Sequence, residues 1–220
     1  MKKFITTLAI ILTLCTPTFA QDYDKDELVN INVYEKISPA IVSVVAQLDD
    51  GVSEGTGCII TTDGQILTGR HVVEGAKTID ITTSNGKTYK AKLVADMKDK
   101  KDLAILKIEP NEQLTTVSFA DSEEVKVGQK VLSIGNPFGF SNTLTQGIIS
   151  RIDYVKNRFQ TDAAINPGCS GGPILNSTGE VIGISQSIYN PDHNISNIGI
   201  GFAIPSNEAV KFIATVEKKN

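Results

Sequence analysis

Histidine is scarce in this chain: His71 and His193 are the only two among 220 residues. Any imidazole chemistry must use one of them. Long apolar runs are scarce too, and the one at residues 4–14 is shorter than the roughly 20 residues a membrane-spanning helix needs. No stripe of lysine and arginine interleaves with aromatics, and the formal net charge is −4. A net-acidic surface has no general attraction for phosphates, which excludes a nucleic-acid partner. Gly55-Thr56-Gly57 lacks the Gly-Lys of a phosphate loop and reads as the start of a buried strand. Asp96, Asp99 and Asp102 are interspersed with Lys98, Lys100 and Lys101, and no glycine supplies the turn of a calcium loop. No metal and no cofactor are expected.

The first residues have a separate purpose. Lys2-Lys3, the apolar run at 4–14 and Thr18-Phe19-Ala20 before Gln21 form the charged, hydrophobic and small-residue parts of a secretory signal. Cys15 follows bulky Leu14, against a lipoprotein reading. Residues 1–20 are therefore expected to be a signal peptide and the protein to be exported, to a periplasm or outside the cell. The remainder carries 19 basic and 25 acidic residues, a net −6; this acidity favours solubility.

What the chain does contain is Gly168-Cys169-Ser170-Gly171-Gly172-Pro173, a serine flanked by glycines. A serine hydroxyl is a weak nucleophile near neutral pH and needs a base to take its proton. His193 sits in the polar turn Asn190-Pro191-Asp192-His193-Asn194, whereas His71 follows a short apolar strand pattern in Leu67-Thr68-Gly69-Arg70-His71-Val72-Val73, which makes His71 the candidate base. Asp102 opens Leu103-Ala104-Ile105-Leu106 and can fix the imidazole tautomer. Each residue alone has an ordinary structural reading. Together they stand in the order His, Asp, Ser, 31 and 68 residues apart, which leaves room for several strands between them. Cys169 is intrinsically the better nucleophile, but the residue next to Gly171-Gly172 is Ser170, so Cys169 should point away from the site.

Strand and turn signals predict an all-β protein. Residues 39–46 are β-branched and start at a proline, residues 58–60 and 65–68 flank Thr62-Asp63-Gly64, and Asn85-Gly86 joins two alternating segments as a hairpin. A second set follows at 129–134, 144–152, 172–175, 181–187 and 200–204, with 111–127 as the connection. Short strands with regular turns predict two barrels: residues 33–120, after a spacer at 21–32, and residues 121–220. In the second, Ser206 is expected to cap a short C-terminal helix that repeats Val210, Ile213 and Val216 on one face.

From about residue 33 to 213 the chain resembles the HtrA/Deg family of chymotrypsin-fold serine proteases. The resemblance is carried by His71-Val72-Val73-Glu74-Gly75-Ala76, by Asp102-Leu103-Ala104-Ile105-Leu106-Lys107-Ile108, by Gln160-Thr161-Asp162-Ala163-Ala164-Ile165-Asn166-Pro167-Gly168, by Ile134-Gly135-Asn136-Pro137-Phe138-Gly139 and by Gly199-Ile200-Gly201-Phe202-Ala203-Ile204-Pro205-Ser206-Asn207. It departs from the family at Gly69-Arg70 and Cys169, where asparagines are usual, and it stops at Asn220, where members usually continue into a PDZ domain.

The resemblance implies two packed antiparallel β-barrels of the chymotrypsin/trypsin type, with His71, Asp102 and Ser170 in the cleft between them. It implies an oxyanion hole from the N–H groups of Gly168 and Ser170. It also implies a substrate pocket formed by Ala164, Ile184 and Phe202, which favours small or medium aliphatic residues before the scissile bond, and an extended substrate paired along Ile184-Ser185-Gln186. The partners implied are unfolded or flexible polypeptides, the role is protein quality control, and the assembly is a monomer or a homotrimer. The competing reading is a catalytically idle, peptide-binding relative. Cys58 and Cys169 are expected as small buried hydrophobes; the resemblance brings Cys58 near the Ser170 loop, so a disulfide stays open.

Overall fold

Strand β1 (Ile41–Leu48) shows why this sequence forms sheet: its β-branched residues alternate, with Val42, Val44 and Ala46 turned into one apolar interior. The computed structural model describes residues 22–97, 101–188 and 197–218. In it β1, β2 (Gly51–Ile59), β3 (Gln65–Thr68), β4 (Thr78–Thr82), β5 (Thr88–Asp96) and β6 (Ala104–Lys107) close an antiparallel barrel in the order β1-β2-β3-β6-β5-β4. A second barrel closes as β7-β8-β9-β12-β11-β10 from β7 (Lys130–Gly135), β8 (Thr143–Asp153), β9 (Arg158–Thr161), β10 (Pro173–Leu175), β11 (Val181–Ile188) and β12 (Gly201–Pro205). Closure leaves neither sheet with a free edge.

Three apolar clusters hold this architecture. Val42, Val44, Ile59, Ile66, Ile81 and Leu106 fill the first barrel. Val131, Ile149, Phe159, Ile174 and Ile182 fill the second. The third lies on the seam, where Leu67, Leu103 and Ile105 of one barrel meet Leu132, Ile134, Leu175 and Ile184 of the other. Each such aliphatic side chain contributes about 1.5–3 kcal/mol on full burial. The seam therefore fixes the two barrels relative to each other.

Several elements differ from expectation. The spacer is largely helix α1 (Lys25–Ile37), started by a capping box: Asp24 Oδ1 accepts from the N–H of Asp26 (2.7 Å) and Glu27 (2.8 Å), and Glu27 Oε2 accepts from Asp24 N (2.9 Å). Val33 and Ile37 then dock on the seam cluster. Strand β2 begins at Gly51, well before residue 58, because its pairing with β1 outweighs the poor strand propensity of its glycines. Helix α3 (Ser206–Glu217) starts without a side-chain cap, since the Ser206 hydroxyl donates instead to Ala120 O (2.7 Å) and ties the helix to the inter-barrel connection. The buried face of α3 is Ala209, Phe212 and Val216, with Ile213 beside it, whereas Val210 is 42 % exposed.

Candidate active site

The base and its carboxylate meet because β3 and β6 pair antiparallel, Thr68 opposite Ala104. The chain leaving β3 and the chain entering β6 consequently share one end of the first barrel. Helix α2 (Arg70–Val73) begins there, and its N-cap residue Gly69 makes no side-chain cap bond. The first N–H groups of a helix have no partner within it. Asp102 supplies two: its main-chain oxygen accepts from Arg70 N (3.2 Å) and its Oδ1 from His71 N (2.7 Å). Its Oδ2 lies in hydrogen-bond contact with His71 Nδ1. With Nδ1 as donor to this carboxylate, Nε2 keeps the lone pair that a base requires. The His71 side chain is 47 % exposed and that of Asp102 19 %, so the imidazole faces the cleft with its carboxylate behind it.

Arg70 braces the same corner. Its Nε donates to Asp96 Oδ2 (3.0 Å), and its two terminal nitrogens donate to Glu74, tying the end of β5 to α2. The bond to Asp96, and then that to Glu74, pushes the guanidinium pKa up. Lys101, next to Asp102, pairs with Glu208 of α3, which links this loop to the second barrel's helix.

Ser170 lies on a strap between β9 and β10 whose backbone tolerates no side chain at two points. Gly168 has φ +97° and Gly171 φ +86°. A Cβ at Gly168 would stand 2.3 Å from Asn136 O; at Gly171 it would stand 2.3 Å from Thr56 O and 2.5 Å from Gly69 N. The strap thus presses against the residues that lead into His71, and Thr56 N donates to Ser170 O (2.9 Å) across the cleft wall. The structure joins His71 to Asp102 directly, and the close approach of Gly171 to Gly69 sets the strap that carries Ser170 beside the segment leading into His71; His193 lies outside the described residues. Ser170 Oγ donates to Gln186 O at 3.3 Å, at the bulge of β11. Among the described residues, neither Gly168 N nor Ser170 N donates to any acceptor.

Thr56 and Asn136 support the strap from outside it, a contact that neither residue's sequence context announces. The Thr56 hydroxyl donates to Gly168 O (2.6 Å) and accepts from Asn136 N (3.0 Å), while Asn136 Nδ2 donates to Val42 O (3.0 Å). Both residues are buried. The only sequence signal was the flanking of Thr56 by Gly55 and Gly57, which allows close approach of backbone.

The expected pocket residues divide into two groups. Ala164 is half-buried at the start of the strap, and Gln186 is half-buried beside Ser170. Ile184 and Ser185 are barrel-wall residues: Ile184 is fully buried in the seam, and Ser185 exchanges both of its main-chain bonds with Gly171 and Gly172, at 2.8 Å each. Phe202 is buried beneath the Arg158 guanidinium, 3.8 Å from its ring centre. Strand alternation turns Phe202 away from the side on which Gly201 meets Ile165. Cys58 and Cys169 are both buried and unpaired, and burial pushes both thiol pKa values up. Cys169 packs into the second barrel's core, away from the cleft.

A trypsin-like peptidase domain family model matches residues 55–184. The periplasmic serine endoprotease DegP of Escherichia coli (strain K12) is 44 % identical over 162 residues, covering 70 % of this chain and 33 % of that protein. A probable periplasmic DegP-like endoprotease of Rickettsia prowazekii (strain Madrid E) is 42 % identical over 198 residues, 85 % of this chain and 38 % of its own length. The chain thus spans about a third of these curated relatives. Among solved structures, the HtrA-type protease AlgW with tripeptide superposes with a TM-score of 0.78 at 34 % identity, covering 85 % of this chain and 63 % of that one. The serine endoprotease from Yersinia pestis gives 0.75 at 35 % identity, covering 85 % and 66 %. The relatives' periplasmic placement agrees with the exported protein expected from residues 1–20, and no helix among the described residues is long and apolar enough to cross a membrane. The chain belongs to the trypsin-like peptidase family, and its similar structures are HtrA-type proteases.

Proposed function

We propose that this domain hydrolyses peptide bonds in unfolded or flexible polypeptides through Ser170, His71 and Asp102. The observation that carries the reading is the pair of bonds from Asp102 to the main chain and ring of His71, beside a strap whose Gly171, next to Ser170, lies against Gly69. Ser170 Oγ turns from Gln186 O toward the imidazole and attacks the carbonyl carbon as His71 Nε2 takes its proton. The C=O electron pair moves onto oxygen, which receives the N–H groups of Gly168 and Ser170. When the tetrahedral intermediate collapses, the C–N bond breaks and His71 gives the proton to the departing amine. A water molecule then repeats the sequence on the acyl-enzyme, releasing the acid and restoring the serine. Asp102 stabilises the imidazolium at both stages.

Two further features support a preference for small or medium aliphatic residues before the scissile bond. The half-buried Ala164 and the contact of Ile165 with Gly201 offer an uncharged, apolar wall. An extended substrate would meet β11 from Gln186 onward, which favours chains without fixed tertiary structure. A role in protein quality control fits that substrate class.

A fluorophosphonate probe tests the reading. The exported form should be labelled and the Ser170→Ala variant should not, with turnover lower by about 10⁶-fold in the variant. A folded wild-type protein that takes no label would favour the idle peptide-binding alternative. Cleavage of a peptide library chiefly after basic residues would overturn the pocket.

A further inference from the structure

The oxyanion donor proposed at Gly168 is hinged on a residue with no side chain, and a glycine with φ +97° does not hold its own peptide planes in place. Something else must fix them. In a trans peptide the C=O and N–H point in opposite directions, so whatever holds the carbonyl of Pro167 aims the N–H of Gly168. That carbonyl accepts from Phe138 N at 2.9 Å. The next carbonyl, that of Gly168 itself, accepts from the Thr56 hydroxyl at 2.6 Å, and the opposite end of the same peptide, Cys169 N, donates to Asn166 O at 2.9 Å. The peptide before Gly168 is thus held by one bond and the peptide after it by two, and of the three only the Thr56 bond comes from the other barrel.

The Thr56 hydroxyl has little freedom to do anything else. Its oxygen accepts from Asn136 N at 3.0 Å and lies 3.3 Å from Asn136 Nδ2, so its own proton is directed to Gly168 O. The resulting chain, from Asn136 N–H through Thr56 O–H to the Gly168 carbonyl, is dry, since Thr56 is fully buried and Asn136 nearly so. Buried linked hydrogen bonds reinforce one another, and a missing member leaves its neighbours unpaired without water to replace it. Asn136 also precedes Pro137 and Phe138, the second source of a pin. The Thr56 hydroxyl therefore holds the peptide after Gly168 directly and, through Asn136 N, anchors the start of the segment whose Phe138 N holds the peptide before it.

We propose that Thr56, on the first barrel, is the positioning residue for the oxyanion hole of the second: it does not touch substrate, but holds Gly168 with its N–H aimed into the cleft. This rests on the Ser170 mechanism above, and its test first requires that wild type hydrolyse a peptide. The variants Thr56→Ser, Thr56→Cys and Thr56→Val form a series of falling donor strength at similar size. Turnover per active site, counted by fluorophosphonate titration so that unfolded molecules drop out, should stay within about threefold of wild type for Ser. It should fall about 10–100-fold for Val, less than the 10²–10³-fold for deleting a donor outright, with Cys between them. KM should change little, because binding does not use the oxyanion.

Inhibition by a peptide boronate, whose tetrahedral adduct places an oxygen in the hole, should weaken by the same factor as kcat/KM falls. A purely structural role would lower the thermal midpoint of Thr56→Val yet leave turnover per titrated site and boronate affinity unchanged, and that result overturns the inference. Should Thr56→Val fail to fold, the Ser and Cys variants decide, because equal turnover per site in those two is equally fatal. A wild type without hydrolysis strikes at the proposed function instead.

Discussion

The two barrels have the same strand number and closure, yet they build their shares of the cleft from different materials. The first supplies the acid–base pair with side chains: Asp102 grips α2 through its main-chain oxygen and carboxylate, Arg70 bridges Asp96 and Glu74, and Lys101 reaches Glu208. The second supplies the proposed nucleophile with backbone, a strap in which Gly168 and Gly171 adopt positive φ and stand within van der Waals reach of main-chain atoms. A side-chain scaffold degrades in steps as bonds are removed. A backbone scaffold packed this tightly gives way at a single methyl group.

Four substitutions or conditions sharpen this contrast. Gly171→Ala would place a methyl 2.3 Å from Thr56 O in a φ region unfavourable to alanine, and neither wall can move without shifting a strand. Its activity should approach that of Ser170→Ala, near the limit of about 10⁶-fold, by peptide hydrolysis on folded protein. Asp102→Asn keeps the shape but presents the wrong partner to Nδ1, and kcat should fall about 10⁴-fold with KM little changed. Arg70→Met removes a clamp that is about a quarter exposed, and ion pairs open to solvent contribute about 0–1 kcal/mol, so kcat/KM should drop by no more than about fivefold. Added salt should reduce wild type toward the variant. A loss of 100-fold there would show that the first barrel is as brittle as the second.

The smallest effect is on stability in acid. Asp121 is held below the usual carboxylate range by the Glu123 N–H and then by Asn207, Asp153 by the Lys156 N–H, and Glu180 by Asn176 and Thr178, all beside or within the second barrel. In the first, Asp63 is lowered by Thr61 and Glu112 by Lys87 and Asn85. A depressed folded-state pKa adds stability that is present above the unfolded value and lost as pH falls through the folded one. The denaturation midpoint should therefore be flat near neutrality and decline below about pH 4, where unfolded Asp and Glu begin to take up protons. Urea titrations at pH 7 and pH 3 check it; a midpoint that rises in acid would contradict these assignments.

The proposed triad rests on a chemistry that admits few residue types. With two histidines in the chain and one of them in a polar turn, the base was nearly chosen by elimination, and Gly168 to Gly172 marked the nucleophile. The all-β architecture was legible from alternation and turn residues. What could not be read depends on partners distant in the chain. Ser206 has the chemistry of a cap, but a carbonyl 86 residues away, Ala120 O, takes its hydroxyl. Ile184 and Phe202 sit on strands near the cleft, yet strand period and the packing of the seam, not proximity, decide which side each faces. Thr56 carried only its flanking glycines as a signal; its hydroxyl finds its acceptor only because the other barrel brings Gly168 O within 2.6 Å. Helix α1 is the opposite case, since Asp24 and Glu27 carried a start signal at the right spacing that the reading of a spacer passed over.

The seam cluster has a last consequence. Leu67 and Leu103 lie within a few residues of His71 and Asp102, while Leu175 and Ile184 lie close along the chain to Ser170 and Gln186, so one apolar layer backs both banks of the cleft. On warming, slippage along that layer would part proton acceptor from hydroxyl while each cylinder of strands still kept its own filling. Catalysis would then fade at a lower temperature than circular dichroism reports melting, making turnover the finer thermometer of how the halves are joined.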